Sequence, residues 1–274
     1  MRYLRVAIAI LFVFSLLFAG WANRRYYDGL NMDYPEITST TDLLEISVQD
    51  PPEAIYGALS AYDATDGDLT AQIMVASVSH FLEPGTVRVK YVVFDSHNNS
   101  ATLTRKVHYT DYEAPAFSLE KAPVYTVGSS FDLLDHIRVE DCIDGDISGH
   151  IRVISNMVNT YMAGNYPVVL EVSNSCGDTT QITLWVTYES KASTANVKLH
   201  RYIVYVEQGQ TFEPMQWLAS VTDQNATALD AEKIEIQGSL DTNKPGCYQL
   251  TYRYNDSALS GYAPLTVVVT ERQD

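Results

Sequence analysis

"DATDGDLT" at residues 63–70 returns as "DCIDGDIS" at residues 141–148. Each stretch places three carboxylates within six residues: Asp63, Asp66 and Asp68, then Asp141, Asp144 and Asp146. Like charges in one turn repel one another, so the repetition needs a reason. Gly67 and Gly145 suit a turn with positive φ, because glycine has no Cβ to clash there. Asp side chains can cap turn amides without any metal. A hard cation such as calcium, which takes six to eight oxygens, is the other way to stabilise such a loop.

The repetition extends outward at a fixed spacing. Asp33-Tyr34 and Asp111-Tyr112 lie 78 residues apart, the same offset as the two Asp-Gly-Asp motifs. "EPGTVRVKYVVFD" (83–95) aligns with "MAGNYPVVLEVSN" (162–174) and "KPGCYQLTYRYND" (244–256) through Gly85, Gly164 and Gly246. Ten residues after each glycine stands Asp95, Asn174 or Asp256. "YTVGSSF" (125–131) aligns with "VYVEQGQTF" (204–212) through Gly128/Gly209 and Phe131/Phe212. Period-2 alternation fills the intervening segments, as in "TVRVKYVVFD" (86–95), "ITLWVTY" (182–188) and "LTVVVTE" (265–271). Such Val-, Tyr- and Thr-rich runs, bounded by Gly, Pro, Asn and Asp, predict strands. A period near 80 residues with about seven short strands is the size of an immunoglobulin-like sandwich. The 19 Tyr suit half-buried sheet surfaces. By parity Tyr248, Tyr252 and Tyr254 share one face, which is either core or a stacking platform for sugars.

The ordered motifs, Gly-x-x-Phe, Val-x-Asp-x-x-Asp-Gly-Asp, Pro-Gly-x-Tyr and an Asp before a polar turn, resemble the bacterial immunoglobulin-like repeats. These occur in tandem in cell-surface proteins and in some insecticidal crystal toxins. The resemblance covers about residues 35–271. Copy three departs from the pattern, keeping Asp223 in "TDQNATALD" and lacking Asp-Gly-Asp. The resemblance implies an all-β chain of three tandem sandwiches with a spacer or binding role and no catalytic residues. The expected domains are 35–111, 112–190 and 191–274, with the third divergent. Short linkers, among them "YESKASTANVKL" (188–199), predict a rod of limited flexibility.

The N-terminus is of another kind. "VAIAILFVFSLLFAGWA", Val6 to Ala22, carries no charge and is flanked by Arg5, Arg24 and Arg25. It reads either as a single-pass transmembrane anchor over residues 1–22, with a stalk at 23–34, or as a cleaved signal peptide. Both readings export the remainder of the chain. A buried core helix would find no helical partner elsewhere in the sequence.

Composition excludes some partners. With 34 Asp+Glu against 18 Lys+Arg the net charge is -16, which repels nucleic acid. The six histidines are scattered, and no Gly-x-Ser-x-Gly, His-Glu-x-x-His or phosphate-loop motif occurs. The expected function is therefore non-enzymatic: a surface-exposed stalk, adhesion or assembly module. The alternative is a carbohydrate- or cell-wall-binding module. The expected partners are the membrane, through the N-terminal helix, and an unidentified surface protein or glycan.

In an immunoglobulin-like topology the loops carrying Cys142 and Cys176 lie at one end of a sandwich. Copy one has Ala64 and His97 there, so both cysteines occur together in one copy. An exported location favours a Cys142–Cys176 disulfide, with two independent thiols as the alternative and Cys247 left free. The same topology gathers Asp33, Asp63, Asp66, Asp68 and Asp95 at one end of copy one. It gathers Asp111, Asp141, Asp144 and Asp146 at one end of copy two. These are the candidate calcium ligands, against the reading in which they only cap the turn. Copy three lacks both the Asp-Tyr and the Asp-Gly-Asp, so whatever the two features do, they are lost together.

Overall fold

The computed structural model describes residues 2–28, 33–256 and 258–272, with helix side chains described at 11–25. The chain divides into two compact units, Met1–Thr110 and Asp111–Asp274.

The first unit holds one helix, α1 (Arg2–Asp28), and one sandwich. Every described side chain of α1 is exposed, Leu11 at 69%, Phe14 at 71% and Trp21 at 54% among them. It is not a core helix. The helix continues to Asp28, so residues 23–28 are helical where a stalk was expected, and residues 29–32 lie outside the described ones. Among the described residues no helix is long and apolar enough to cross a membrane. The transmembrane reading of Val6–Ala22 therefore gains no support from the structure, and residues 6–10 of that run lie outside the described side chains.

Each copy pairs a short sheet with a four-stranded one. In copy one, Glu36–Ser39, Leu59–Asp63 and Gly67–Asp68 form the first sheet. Leu43–Ile46, Ser100–Tyr109, Thr86–Phe94 and Met74–Val78 form the second, in that spatial order. Copy two repeats this with Ala116–Leu119, Ile137–Asp141 and Gly145–Asp146 against a sheet ordered Arg152–Asn156, Gly164–Ser173, Thr179–Glu189, Val124–Thr126. In copy three the short sheet has two strands, Ala195–Leu199 and Leu218–Asp223. Its third strand has shrunk to the single bridge Thr222↔Ala228, where Asp-Gly-Asp is missing. In all three copies the second strand runs parallel to the last one: Leu43–Ile46 on Ser100–Tyr109, Val124–Thr126 on Thr179–Glu189, Ile203–Glu207 on Ser260–Thr270.

The alternating pattern delivers the core. Val87, Val89, Tyr91 and Val93 on one strand are fully buried, as are Leu170, Val172, Leu184 and Val186 in copy two. Burying each such aliphatic side chain contributes about 1.5–3 kcal/mol. Tyr252 and Tyr254 are 0% and 2% exposed, so the face read as a possible sugar platform is core. Trp217 fills the same core, its ring stacked on Phe212 at 6.4 Å. Copy one also buries a cation. Arg105, 4% exposed, donates to Ile55 O (2.8 Å) and Ser39 Oγ (3.1 Å) and lies over the Tyr91 ring. Neutral oxygens and a ring face take the place of a counter-ion.

Copies two and three share one continuous apolar cluster. The Phe117 amide donates to the Tyr205 hydroxyl (2.7 Å), Asn165 Nδ2 to Gln249 Oε1 (2.6 Å), and the Thr183 amide to Cys247 Sγ (3.4 Å). These two copies are joined more closely than tandem spacers.

Copy three carries a tight backbone approach. A Cβ at Gly261 would stand 2.0 Å from the Ala195 carbonyl oxygen. Neither strand can yield without breaking its ladder, so Gly261→Ala is expected to cost about 1–3 kcal/mol. Chemical denaturation of the full chain checks this, and an unchanged midpoint would show that the strands separate freely.

Candidate functional site: the aspartate-rich loop ends

Three carboxylates in each loop perform three tasks. The first is buried at the end of its strand. Asp63 Oδ1 accepts from the amides of Thr65 (2.8 Å) and Asp66 (3.0 Å). Asp141 Oδ1 accepts from Ile143 and Asp144, both at 2.9 Å. The second carboxylate reaches across to the loop joining the last two strands. Asp66 Oδ2 accepts from the Ser96 amide (2.7 Å), and Asp144 Oδ2 from the Ser175 amide (2.6 Å). The third caps a single 3-10 turn: Asp68 Oδ1 accepts from the Thr70 amide and Asp146 Oδ1 from the Ser148 amide, each at 2.9 Å. Bonds from Thr70 hold the Asp68 carboxyl below its ordinary value, and bonds from Ser148 do the same for Asp146. Gly67 and Gly145 take φ of 79° and 71°, as the sequence requires. Backbone amides thus engage at least one oxygen of all six aspartates, in the turn itself for four of them and across the loop end for Asp66 and Asp144. Copy three keeps the first task, with Asp223 Oδ1 accepting from the amides of Asn225 and Thr227 at 2.8 Å.

The facing loop differs between the copies. In copy two, Asn174 is 6% exposed. Its Nδ2 donates to Asp141 Oδ2 (3.1 Å) and to the Tyr112 hydroxyl (3.0 Å), which donates to Asp178 Oδ2 (2.6 Å). Burial, then the bond to Asp178, pushes the Tyr112 hydroxyl well above its ordinary value. In copy one the amide and the carboxylate have traded places. Asp95 stands where Asn174 does, and Asn99 stands where Asp178 does. Asp95 Oδ1 accepts from the amides of His97 (2.8 Å) and Asn99 (2.7 Å), and Oδ2 from Asn99 Nδ2 (2.8 Å). Burial raises the Asp95 carboxyl, but the bonds from Asn99 and His97 outweigh it and the net shift is downward. Tyr34, the counterpart of Tyr112, is 63% exposed against 7%.

Of the residues marked in the sequence as calcium ligands, the structure brings together Asp66 and Asp95, and adds His97. Ligand atoms of these three lie within 4.8 Å of one another. Asp63 is outside this group; it is 1% exposed, and its Oδ2 accepts no hydrogen bond. Asp68 is exposed and engaged with its own turn. The main-chain oxygen of Asp33 accepts from Asn99 Nδ2 (3.1 Å), and the Asp33 side chain is exposed. Asp111 is exposed, Asp144 and Asp146 serve the turn, and Asp141 is satisfied by Asn174. His97 escaped the sequence reading because a lone histidine in a hairpin carries no spacing signal.

Cys142 and Cys176 are thiols in the structure, as is Cys247. The expected bridge is not formed, because Cys142 Sγ turns toward the start of the domain and donates to Glu113 O (3.1 Å). Burial raises both thiols above their ordinary values. An open cleft of about 420 Å³ lies between copies two and three. Glu189 is the one carboxylate among its lining residues, and no histidine lines it.

The sandwiches, their repeat and their capped loops are immunoglobulin-like in architecture, and the chain is similar to bacterial surface Ig-like domains and to a crystal toxin. The segment 201–263 matches the family described as bacterial surface protein, Ig-like domain. The match falls in copy three, the copy whose loop departs from the motif. A pesticidal crystal protein of Bacillus thuringiensis, Cry22Aa, is 28% identical over 205 residues, covering 72% of this chain and 27% of its own. The chain thus spans about a quarter of that relative's length. Among solved structures, Drosophila N-cadherin EC1-3 shares 12% identity over 85% of this chain and 98% of its own, with a TM-score of 0.30. The Clostridium perfringens ZmpB structure of CBM51-2 in complex with GlcNAc and INT domains shares 14% over 86% and 42%, with a TM-score of 0.24. At these scores the structural likeness carries no argument about function. The family match fits a surface module.

Two outcomes test the loop chemistry. Asn174→Ala leaves Asp141 Oδ2 buried without a donor and should cost about 1–3 kcal/mol, read from denaturation midpoints. A neutral result would mean that the network contributes nothing. Asp68, Asp95, Asp146 and Asp223 all have folded carboxyls below the unfolded value of about 3.9. Their contribution is complete above that value and is lost as pH falls through the lower folded values. Stability should therefore drop between pH 5 and pH 2 in a denaturation series, and a flat profile there would contradict the assignment.

Proposed function

We propose that the chain is a non-enzymatic, exported stalk or assembly module that holds three sandwiches in series at the outer face of a bacterial membrane. The observation that carries this reading is the conjunction of three tandem repeats with a helix whose described apolar side chains are exposed. Arg25 lies over the Trp21 ring at 4.9 Å, a cation and an aromatic ring paired at one end of the apolar run, as suits a membrane interface. Eight large apolar or aromatic side chains from Leu11 to Trp21 are more than half exposed, which makes contact with lipid a better environment than water. The charge of -16 keeps such a module apart from anionic polymers and from copies of itself.

The carbohydrate- or wall-binding reading is supported at a different place from the one expected. Met157, Tyr161 and Met162, at 69%, 82% and 61% exposure, are grouped on one loop of copy two. A sugar or wall polymer stacking on Tyr161 would use that loop. A pull-down on isolated wall with Tyr161→Ala as control separates this from a bare stalk.

Fractionation tests the main reading. Full-length chain should sediment with membranes, resist carbonate extraction and be cleaved by protease added to intact cells. Protein that stays inside the cell would reject it, and a mature N-terminus near Asn23 would establish the cleaved form instead.

A further inference from the structure

Copy one and copy two solve one electrostatic problem differently. Each buries a strand-end aspartate, Asp63 at 1% and Asp141 at 5% exposure. The two are held alike: each pairs across its hairpin with the glycine of Asp-Gly-Asp, and each Oδ1 caps the two amides that follow. Their second oxygens therefore point the same way, toward the residue ten positions after the strand-start glycine that recurs in each copy. In copy two that residue is Asn174, whose Nδ2 meets Asp141 Oδ2 at 3.1 Å. In copy one it is Asp95, a second buried carboxylate, 6% exposed. An acceptor now stands in place of a donor, and Asp63 Oδ2 is left without a donor. A buried oxygen in that state costs the full desolvation penalty unless a positive charge reaches it.

The geometry points to a divalent-cation site at this end of copy one, and of copy one alone. Asp63 Oδ2, buried and without a donor, stands outside the ligand set and is the charge that such an ion would offset. The Asp66 and Asp95 carboxylates and the His97 imidazole form the walls of the site, their ligand atoms within 4.8 Å of one another. Two oxygens of this set are already oriented: Asp66 Oδ2 by the Ser96 amide and Asp95 Oδ2 by Asn99 Nδ2. Such supporting bonds fix ligands without exhausting their lone pairs. Two carboxylates with one imidazole, completed by water, suit manganese or zinc as well as calcium. In copy two the same volume is closed by the Asn174 amide and the buried Tyr112 ring. The site thus adds a ligand to the proposed surface module and does not depend on that module's location.

Calorimetric melts of the full chain test it, comparing chelator with about 5 mM calcium, manganese or zinc, well above the millimolar-or-tighter constants of extracellular sites. At least one cation should raise the first unit's transition by about 4–8 °C. Asp95→Asn installs copy two's solution. It should raise the melting temperature in chelator, because Asp63 Oδ2 gains a donor, and it should abolish the cation response. Asp63→Asn should also weaken the response. A calcium response that survives His97→Ala, with loss of those to manganese and zinc, would mark an all-oxygen site for the first ion. No response to any of the three ions overturns the proposal. So does an Asp95→Asn chain that is stabilised while wild type ignores every cation, because a shared proton would then suffice. An Asp95→Asn chain that keeps the full wild-type response overturns it as well.

Discussion

Everything at the loop ends depends on one contact: a carboxylate oxygen at a strand terminus accepting two backbone amides of the turn that follows. It is made by Asp63, Asp141 and Asp223, once in each copy. Without it the chain would enter the turn with amides that neither the ladder nor water can satisfy. The contact fixes where the strand stops and therefore where the next crossing begins. Crowded negative charge is the consequence of asking one turn to end a strand, reach the opposite loop and start a 3-10 turn within six residues. Copy three keeps the 3-10 turn, capped by Asp230 Oδ1 accepting from the Glu232 amide (3.0 Å), and its third strand is reduced to a bridge.

Much of this was legible in the residues themselves. Alternation located the long strands, the glycines located the tight turns, and the 78-residue offset located the repeat. The immunoglobulin-like class followed from the order of the motifs. What escaped were matters of direction. Nothing in "DCIDGDIS" says that the Cys142 thiol donates to Glu113 O. Parity placed Tyr252 and Tyr254 on one face without saying which side that face would meet. The helix ran on through Asn23, Arg24 and Arg25 because all three are tolerated in a helix, and the expected stop was set by hydropathy alone.

The exchange of Asp95/Asn99 for Asn174/Asp178 shows most clearly where sequence reasoning stops. As composition the two pairs are identical: one acid and one amide, four residues apart. As chemistry they are opposite, because only the first of each pair faces the buried aspartate. An amide there completes a hydrogen-bond chain through Tyr112, and with a carboxylate there Asp63 Oδ2 has no donor. The position of Tyr34, exposed where Tyr112 is buried, belongs to the same difference. Both effects reside in one oriented side chain, a level below what periodicity can resolve.

The parallel ladder between the second and the last strand of each copy has a mechanical consequence. A tension applied to the two ends of such a domain draws these strands along their length in opposite senses, so the bonds of the ladder are loaded together in shear instead of being unzipped one at a time. The ladder runs from Ile203↔Thr266 to Glu207↔Thr270 in copy three, but only from Thr187↔Val124 to Glu189↔Thr126 in copy two. Under load the shorter clamp gives way first. The core that copy two shares with copy three then acts as the second line of resistance, so that a chain tethered at one end and pulled at the other would yield in steps and absorb work at each.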